Sequence, residues 1–483
     1  MFSEAEAASA SPTEMPAVTK LSDARRPPRP ARCSARGRCA RRLRATVLAL
    51  GHLLAVGSSC AFGMATIERI EAPGLAGAYV VRPSVDDHDE VHLNLIVLAG
   101  EADNRGTEGI AHYVEHLAWL NATGRMDRDF VRHSNAWTRA HSTTYRMSGR
   151  ASDFAELAQN MLRVFEPFEL EQRFMLEERD IILREHEHRV GEDPYAPLRD
   201  DLARRLHGDN PPARSVLGHP DDIASFSLDE ARTFHRQTHR PENAVLIVRG
   251  EVSGEDLQRV LRQMLGPATA ASDVRPPHYT MGAHVRDVRT RVVPGLTRPA
   301  LLYFKVVKLP LAERRRGSGP PDIGQRLALL HEVLDSSLPG GLAKPLRFDN
   351  FIAASYRLGL RVVAPRHLQL EFFAHPDRGV SPDTLLRAFE QAMSDAGARG
   401  IPVETFERAR RRHLDELKRR RDRRAFEFDE LVRVIELRTG KPPRGLAAYR
   451  EDGRRITRAQ LDTLLRALAG PGRVVATKAQ PVQ

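Results

Sequence analysis

The sequence predicts an α+β fold of two similar domains, each an antiparallel-rich sheet with helices packed on it. Three observations carry that expectation. From about residue 66 short apolar runs alternate with longer stretches of helical period. A proline-punctuated stretch, from Pro267 through Pro276, Pro277, Pro294 and Pro299, lacks that period and divides the chain. The segments on either side of it repeat one order of elements.

In the first half, residues 92–98 and 244–248 are β-branched and leucine-rich strand candidates. Between them, residues 153–165 and 173–187 have helical period. Ser253-Gly254-Glu255-Asp256 opens a further helix with an acidic first turn, running to about residue 265. In the second half, strands are expected at 301–307 and 368–373, with helices at 326–334 and from about 383 and 404. The repeat is visible in the punctuation. Ser152-Asp153 starts a helix, a break follows, and a second helix carries Phe174. Ser381-Pro382-Asp383, then Gly400-Ile401-Pro402, then a helix carrying Phe406 follow the same plan. The expected boundaries are an N-terminal extension at 1–63, a first α+β domain at 66–270, a linker at 271–297 and a second α+β domain at 298–480.

The 483 residues are 41% apolar and 28% charged, a globular composition with room for two or three domains. The net charge of +11 is concentrated at the front. Residues 1–63 hold ten Lys/Arg against four acidic residues, leaving about +5 on the other 420. Arg41-Arg42-Leu43-Arg44, then an apolar run over 45–56, then Ser59-Cys60-Ala61, follow the order of a secretory signal. The expectation is therefore an exported, periplasmic protein; a mitochondrial presequence and a lipid anchor at Cys60 are the alternatives. The apolar run is too short for a permanent transmembrane span. All three cysteines lie in this segment, so residues 64–483 offer neither a disulfide frame nor a thiol nucleophile.

The chemistry-bearing motif is His112-Tyr113-Val114-Glu115-His116. On a helix over about 111–120, His112 and His116 are i and i+4 and share one face, with Glu115 beside it. Two neutral imidazoles and an adjacent carboxylate are the parts a hydrolytic zinc site needs, and the order HxxEH is that of inverted zincins. Such a site requires a third ligand. The helix over 174–185 offers Glu178 and Glu185, seven apart on one face, one able to bind metal and the other to orient a ligand.

Together, residues 109–116, the segment Asn135-Ala136-Trp137-Thr138 with Thr144 and Tyr145, the pair Glu178 and Glu185, and residues 239–250 resemble the pitrilysin/insulinase metallopeptidases. The likeness is strong over about 66–270 and diffuse to about 475. It implies a zinc endopeptidase of the shorter, processing-peptidase-like branch, with one chain forming half of a clamshell and a second chain of the same fold completing a homo- or heterodimer. By position, His112, His116 and Glu185 would hold one zinc per chain. Glu115 would be the general base and Glu178 would steady a ligating histidine. Asn135, Ala136, Trp137 and Thr138 would lie on an edge strand to which a peptide or unfolded protein segment adds. The implied reaction is peptide-bond hydrolysis, zinc polarising water and carbonyl while Glu115 shuttles the proton.

The chain departs from the pattern at the substrate-binding Arg–Tyr pair of the second domain. Arg347 is retained, but Ala354 stands where the tyrosine belongs; Tyr356, two residues on, is a candidate replacement. A partner subunit supplying those contacts is the simpler expectation. A non-catalytic scaffold or peptide-binding subunit of the same fold is the alternative function. His141, His186 and His188 are expected at the surface, as is the run Arg408–Arg421, whose interleaved acids mark a solvated helix face. No nucleic-acid motif accompanies that run, so nucleic acid is not an expected partner.

Overall fold

The computed structural model describes residues 66–72, 74–82, 89–124, 133–168, 170–191, 193–265, 279–309, 323–419, 437 and 446–482. The export-type segment expected over 1–63 lies outside them, as does the part of the arginine run beyond 419. No helix of the described residues is long and apolar enough to cross a membrane.

The first half contains strands β1 (Thr66–Ile70), β2 (Gly77–Arg82), β3 (Glu90–Val97), β4 (His133–Thr138), β5 (Thr143–Arg150) and β6 (Ala244–Arg249). Its helices are α1 (Ile110–Thr123), α2 (Phe154–Leu162), α3 (Gln172–His186), α4 (Ala196–His207), α5 (Pro220–Ser225), α6 (Leu228–Thr238) and α7 (Gly254–Met264). The second half contains β7 (Arg286–Val292), β8 (Ala300–Lys308), β9 (Ala353–Ala364), β10 (His367–Pro376) and β11 (Arg473–Gln480). With them go α8 (Ile323–Leu334), α9 (Pro382–Arg399), α10 (Val403–Arg419), α11 (Leu446–Arg455) and α12 (Arg458–Ala469).

The two sheets have one topology. The first runs β1-β2-β6-β3-β5-β4 and the second β7-β11-β8-β10-β9. If β2 is matched with β7, β3 with β8, β4 with β9, β5 with β10 and β6 with β11, the orders coincide, with β1 as an added edge. The directions coincide too. β2–β6 and β7–β11 are the parallel pairs, and the remaining pairs are antiparallel. The expected pair of similar antiparallel-rich α+β domains is what the chain forms.

Period-two burial places the first core. On β3 the side chains of Val91, Leu93, Leu95 and Val97 are buried while those between are partly exposed. They pack with Tyr145 and Met147 of β5 against Ile110, Tyr113, Val114 and Leu117 of α1 and Met175 and Ile182 of α3. The second core sets β8 and β10 against α8, α9 and α12.

Two features differ from the expected domain map. The stretch taken as linker contains β7, which pairs in parallel with β11 from Arg286 to Val292. Its sequence, RDVRTRV, is largely exposed at a sheet edge, so it carries no apolar signature. Second, α4 belongs to the first half by sequence but packs on the second sheet. Leu198, Leu202 and Leu206 sit among Leu302, Phe304, Val306 and Val475, on the sheet face opposite α8 and α9. Arg205 fixes it there, donating to Thr477 Oγ1 at 2.8 Å and pairing with Asp287 at 3.1 Å.

Candidate metal centre

α1 starts in a backbone geometry that its own sequence requires. Gly109 at its N-cap has φ 90°, and a Cβ there would lie 2.7 Å from the backbone of Gly218. The loop before it is tied to α6, where Glu230 accepts from the amide of Thr107 at 2.7 Å and its hydroxyl at 3.0 Å. From this start His112, Glu115 and His116 face α3 and β4. Tyr113, on the opposite flank, stacks on Phe226 and donates to Met175 O at 2.8 Å, bracing α1 against α3.

The three expected ligands converge. Glu185 Oε2 lies 3.4 Å from His112 Nε2 and 3.7 Å from His116 Nε2, and the ligand atoms of all three residues lie within 4.8 Å of one another. The two rings meet edge-on, centroids 4.7 Å apart. Atoms held about 2.0–2.1 Å from a tetrahedral zinc are roughly 3.4 Å from each other, so this spacing accommodates the ion. Among the described residues Glu185 Oε2 also has no hydrogen-bond partner, though it is buried, a costly arrangement that a cation would relieve. Two imidazoles and a carboxylate suit zinc by donor type as well. The residues fit the metal.

The surrounding groups set the protonation. Glu178 Oε2 is 2.8 Å from His116 Nδ1, which leaves Nε2 directed at the centre. Burial opposes charge on His116, but Glu178 and Glu185 override it and raise its pKa to about 10. His112 has no such brace among the described residues, where its buried Nδ1 finds no hydrogen-bond partner. Burial, with His116 beside it, pushes His112 down to about 3, the neutral form a ligand requires. Burial raises Glu185, and the histidines and Arg189 outweigh it, bringing the carboxyl down to about 2.

Glu115 lies 3.9 Å from His112 Nε2 by its Oε2, and that oxygen accepts a hydrogen bond from Thr138 Oγ1 at 3.1 Å. Burial dominates its environment and raises its pKa to about 7, with His116 and Thr138 opposing. Thr138 reaches it from β4, the terminal strand of the sheet, where Ala136 packs on the core and Asn135 is exposed. Trp137 lies under the guanidinium of Arg146, 5.0 Å away.

The structure thus brings together His112, His116, Glu185, Glu115, Glu178 and Thr138. It does not bring Arg347 or Tyr356 to them. Arg347 sits on a π-helical turn, Lys344–Asp349, its guanidinium 5.7 Å from the Phe348 ring centroid. Tyr356 faces the helix layer of the second domain, tilted against Phe372, its buried hydroxyl beside Asp335. His141, expected at the surface, is buried; His186 is half-buried and His188 exposed. One residue at the centre carried no expectation. Arg189, four residues beyond Glu185, pairs with its Oε1 at 2.5 Å; the i,i+4 spacing was the available signal.

No family model matches the chain. Among curated proteins, it is 26% identical over 213 residues to an uncharacterized zinc protease of Mycobacterium leprae, covering 41% of this chain and 46% of that one. It is 26% identical over 178 residues to the mitochondrial-processing peptidase subunit beta of Neurospora crassa, covering 35% and 37%. The matched region therefore spans less than half the length of these relatives. Among solved structures, a protease from Helicobacter pylori superposes with TM-score 0.67 at 15% identity, over 87% of this chain and all of that one. A peptidase M16 inactive domain from Pseudomonas fluorescens gives 0.65 at 15% identity, over 86% and 98%. These likenesses establish the fold, and the zinc-protease relatives support a peptidase-type function. The chain thus has the fold of M16-like peptidases and, over about two fifths of its length, is similar to zinc proteases and to mitochondrial-processing peptidase beta subunits.

Proposed function

We propose that this chain is a zinc metalloendopeptidase that hydrolyses peptide bonds in peptides or unfolded segments. The observation that carries the reading is the convergence of His112 Nε2, His116 Nε2 and Glu185 Oε2, with the Glu115 carboxyl 3.9 Å from the first of them. A zinc ion held by those three residues would supply Lewis acidity, polarising a peptide carbonyl and making water easier to deprotonate. Glu115 is the group placed to take the proton and pass it to the departing amine nitrogen. Its burial holds its pKa near neutrality, where a carboxyl can both accept and release a proton. Thr138 orients it through Oε2. β4 offers its outer edge, from Asn135 to Thr138, for an extended peptide to pair with.

The substrate-binding contacts are assigned to a second chain of the same fold, because Tyr356 is committed to packing against Phe372. An exported, periplasmic location is part of the same proposal, resting on the arginine, apolar and small-residue order before residue 63.

Zinc content and cleavage of unfolded peptides, measured for the wild type and Glu115→Gln with and without the partner chain, test the reading. Stoichiometric zinc in both proteins is expected, with cleavage in the wild type alone. A wild type that holds zinc but cleaves nothing in its partner's presence would favour the scaffold alternative instead.

A further inference from the structure

α3 does not end cleanly at His186. It continues into a π-helical turn, Glu187–Gly191, and that turn carries Arg189. The order, an acid followed four residues later by a base, is the favourable direction for a pair along one helix face. Arg189 Nη2 is 2.5 Å from Glu185 Oε1. The other oxygen of the same carboxylate, Oε2, is the one lying 3.4 Å from His112 Nε2 and 3.7 Å from His116 Nε2. The two oxygens of Glu185 therefore have separate partners.

That division bears on metal binding. The Glu185 side chain is 21% exposed, against 7% for His112 and 6% for Glu115, so it is the member of the group with most room to turn towards solvent. A glutamate also has three rotatable bonds to order when it binds a metal. A guanidinium holding Oε1 removes much of that freedom in advance and leaves only Oε2 facing the histidines. We propose that Arg189 is a positioning residue, holding Glu185 so that it meets the metal through Oε2 alone. The inference rests on the reading of His112, His116 and Glu185 as zinc ligands.

Two effects of Arg189 oppose each other. Its positive charge repels an incoming dication, while its tether pre-orders a ligand. The Arg189 side chain is 40% exposed, so water and salt screen the repulsion. The tether acts at contact distance and is not screened in the same way. Removing the side chain should therefore weaken zinc binding.

Zinc affinity of the purified full chain, measured by competition with a fluorescent chelator, tests this for wild type, Arg189→Met and Arg189→Lys. Thermal midpoints of the zinc-free proteins serve as the fold control. Arg189→Met should bind zinc about ten-fold more weakly, the scale of lost outer-shell contacts at metal sites, with an unchanged midpoint. Arg189→Lys keeps a donor for Oε1 and should recover most of the loss. If Arg189→Met binds zinc as tightly as the wild type, or more tightly, the inference falls and the zinc reading stands. A wild type that takes up no zinc overturns both.

Discussion

Replacing His207 by leucine tests how the first half is fastened to the second sheet. His207 closes α4 and is 2% exposed. Its Nε2 lies 2.7 Å from Gln369 Oε1 on β10, and its Nδ1 lies 2.9 Å from the Tyr279 hydroxyl. Gln369 donates its own amide to Glu371 Oε1 at 2.7 Å, which turns its carbonyl oxygen to the imidazole. The neutral ring therefore donates from Nε2 and accepts at Nδ1 from Tyr279. Burial, with Arg361 and Arg473 adding to it and Gln369 opposing, lowers the pKa from 6.5 to about 4. A gap of about 2.5 units at about 1.36 kcal/mol per unit makes roughly 3 kcal/mol.

The sign follows from proton uptake. The unfolded chain binds this proton more readily than the folded one, so the contribution of neutral His207 is whole above pH 6.5. It drains away as the pH falls from 6.5 towards 4. Urea unfolding of wild type and His207→Leu at steps between pH 7.5 and 4 reads it out. At neutral pH the variant should be less stable by about 1–3 kcal/mol, since Gln369 and Tyr279 each lose a buried partner. On acidification that difference should shrink and then reverse, changing by about 3 kcal/mol in all. Other titrating groups are common to both proteins and cancel. A stability difference that stays constant with pH would refute the neutral, buried assignment of His207.

Two further outcomes concern the metal centre. Glu178→Gln should weaken zinc binding about 10–100-fold, measured by chelator competition; unchanged affinity would show that the 2.8 Å contact with His116 Nδ1 does not orient the ring. Gly109→Ala forces a side chain into φ 90° against the Gly218 backbone and should cost at least about 1–3 kcal/mol in urea unfolding. Wild-type stability in that variant would mean that α1 does not start from this backbone.

What could be read from the sequence was local. His112 and His116 share a face because they are four apart on one helix, and Glu178 and Glu185 because they are seven apart on another. The apolar strands β3, β6, β8 and β10 announce themselves by composition. What could not be read depends on distant pairing. β7 is an exposed edge strand rich in arginine, and the residue that pairs with Arg286, Val474 of β11, lies 188 positions later. α4 shows an apolar stripe at Leu198, Leu202 and Leu206, yet nothing in that stripe says which sheet it covers. Tyr356 is expected to stand in for the residue two positions before it, but a break in register at Ala354 interrupts the alternation: Ala354 is exposed, while Ala353, Tyr356 and Leu358 pack on the second core.

The repeated topology sharpens the case for a metal. α1 joins β3 to β4, and α8 joins β8 to β9, so the two helices occupy equivalent places in equivalent domains. α8 buries Leu327, Leu329, Leu330, Val333 and Leu334, with one neutral polar side chain, Gln325, hydrogen-bonded to His413 at 2.8 Å. α1 buries His112 and Glu115 in the corresponding helix. Burying ionisable groups costs stability unless they are paired, and among the described residues His112 Nδ1 and Glu185 Oε2 have no hydrogen-bond partners. In its other half the fold fills this helix mainly with aliphatic side chains and buries no ionisable group on it. The polar groups of α1 are therefore not demanded by the architecture, and a bound cation is the addition that would relieve the cost of keeping them. Zinc should accordingly raise the thermal midpoint of the chain, by an amount that grows with its free concentration over its Kd.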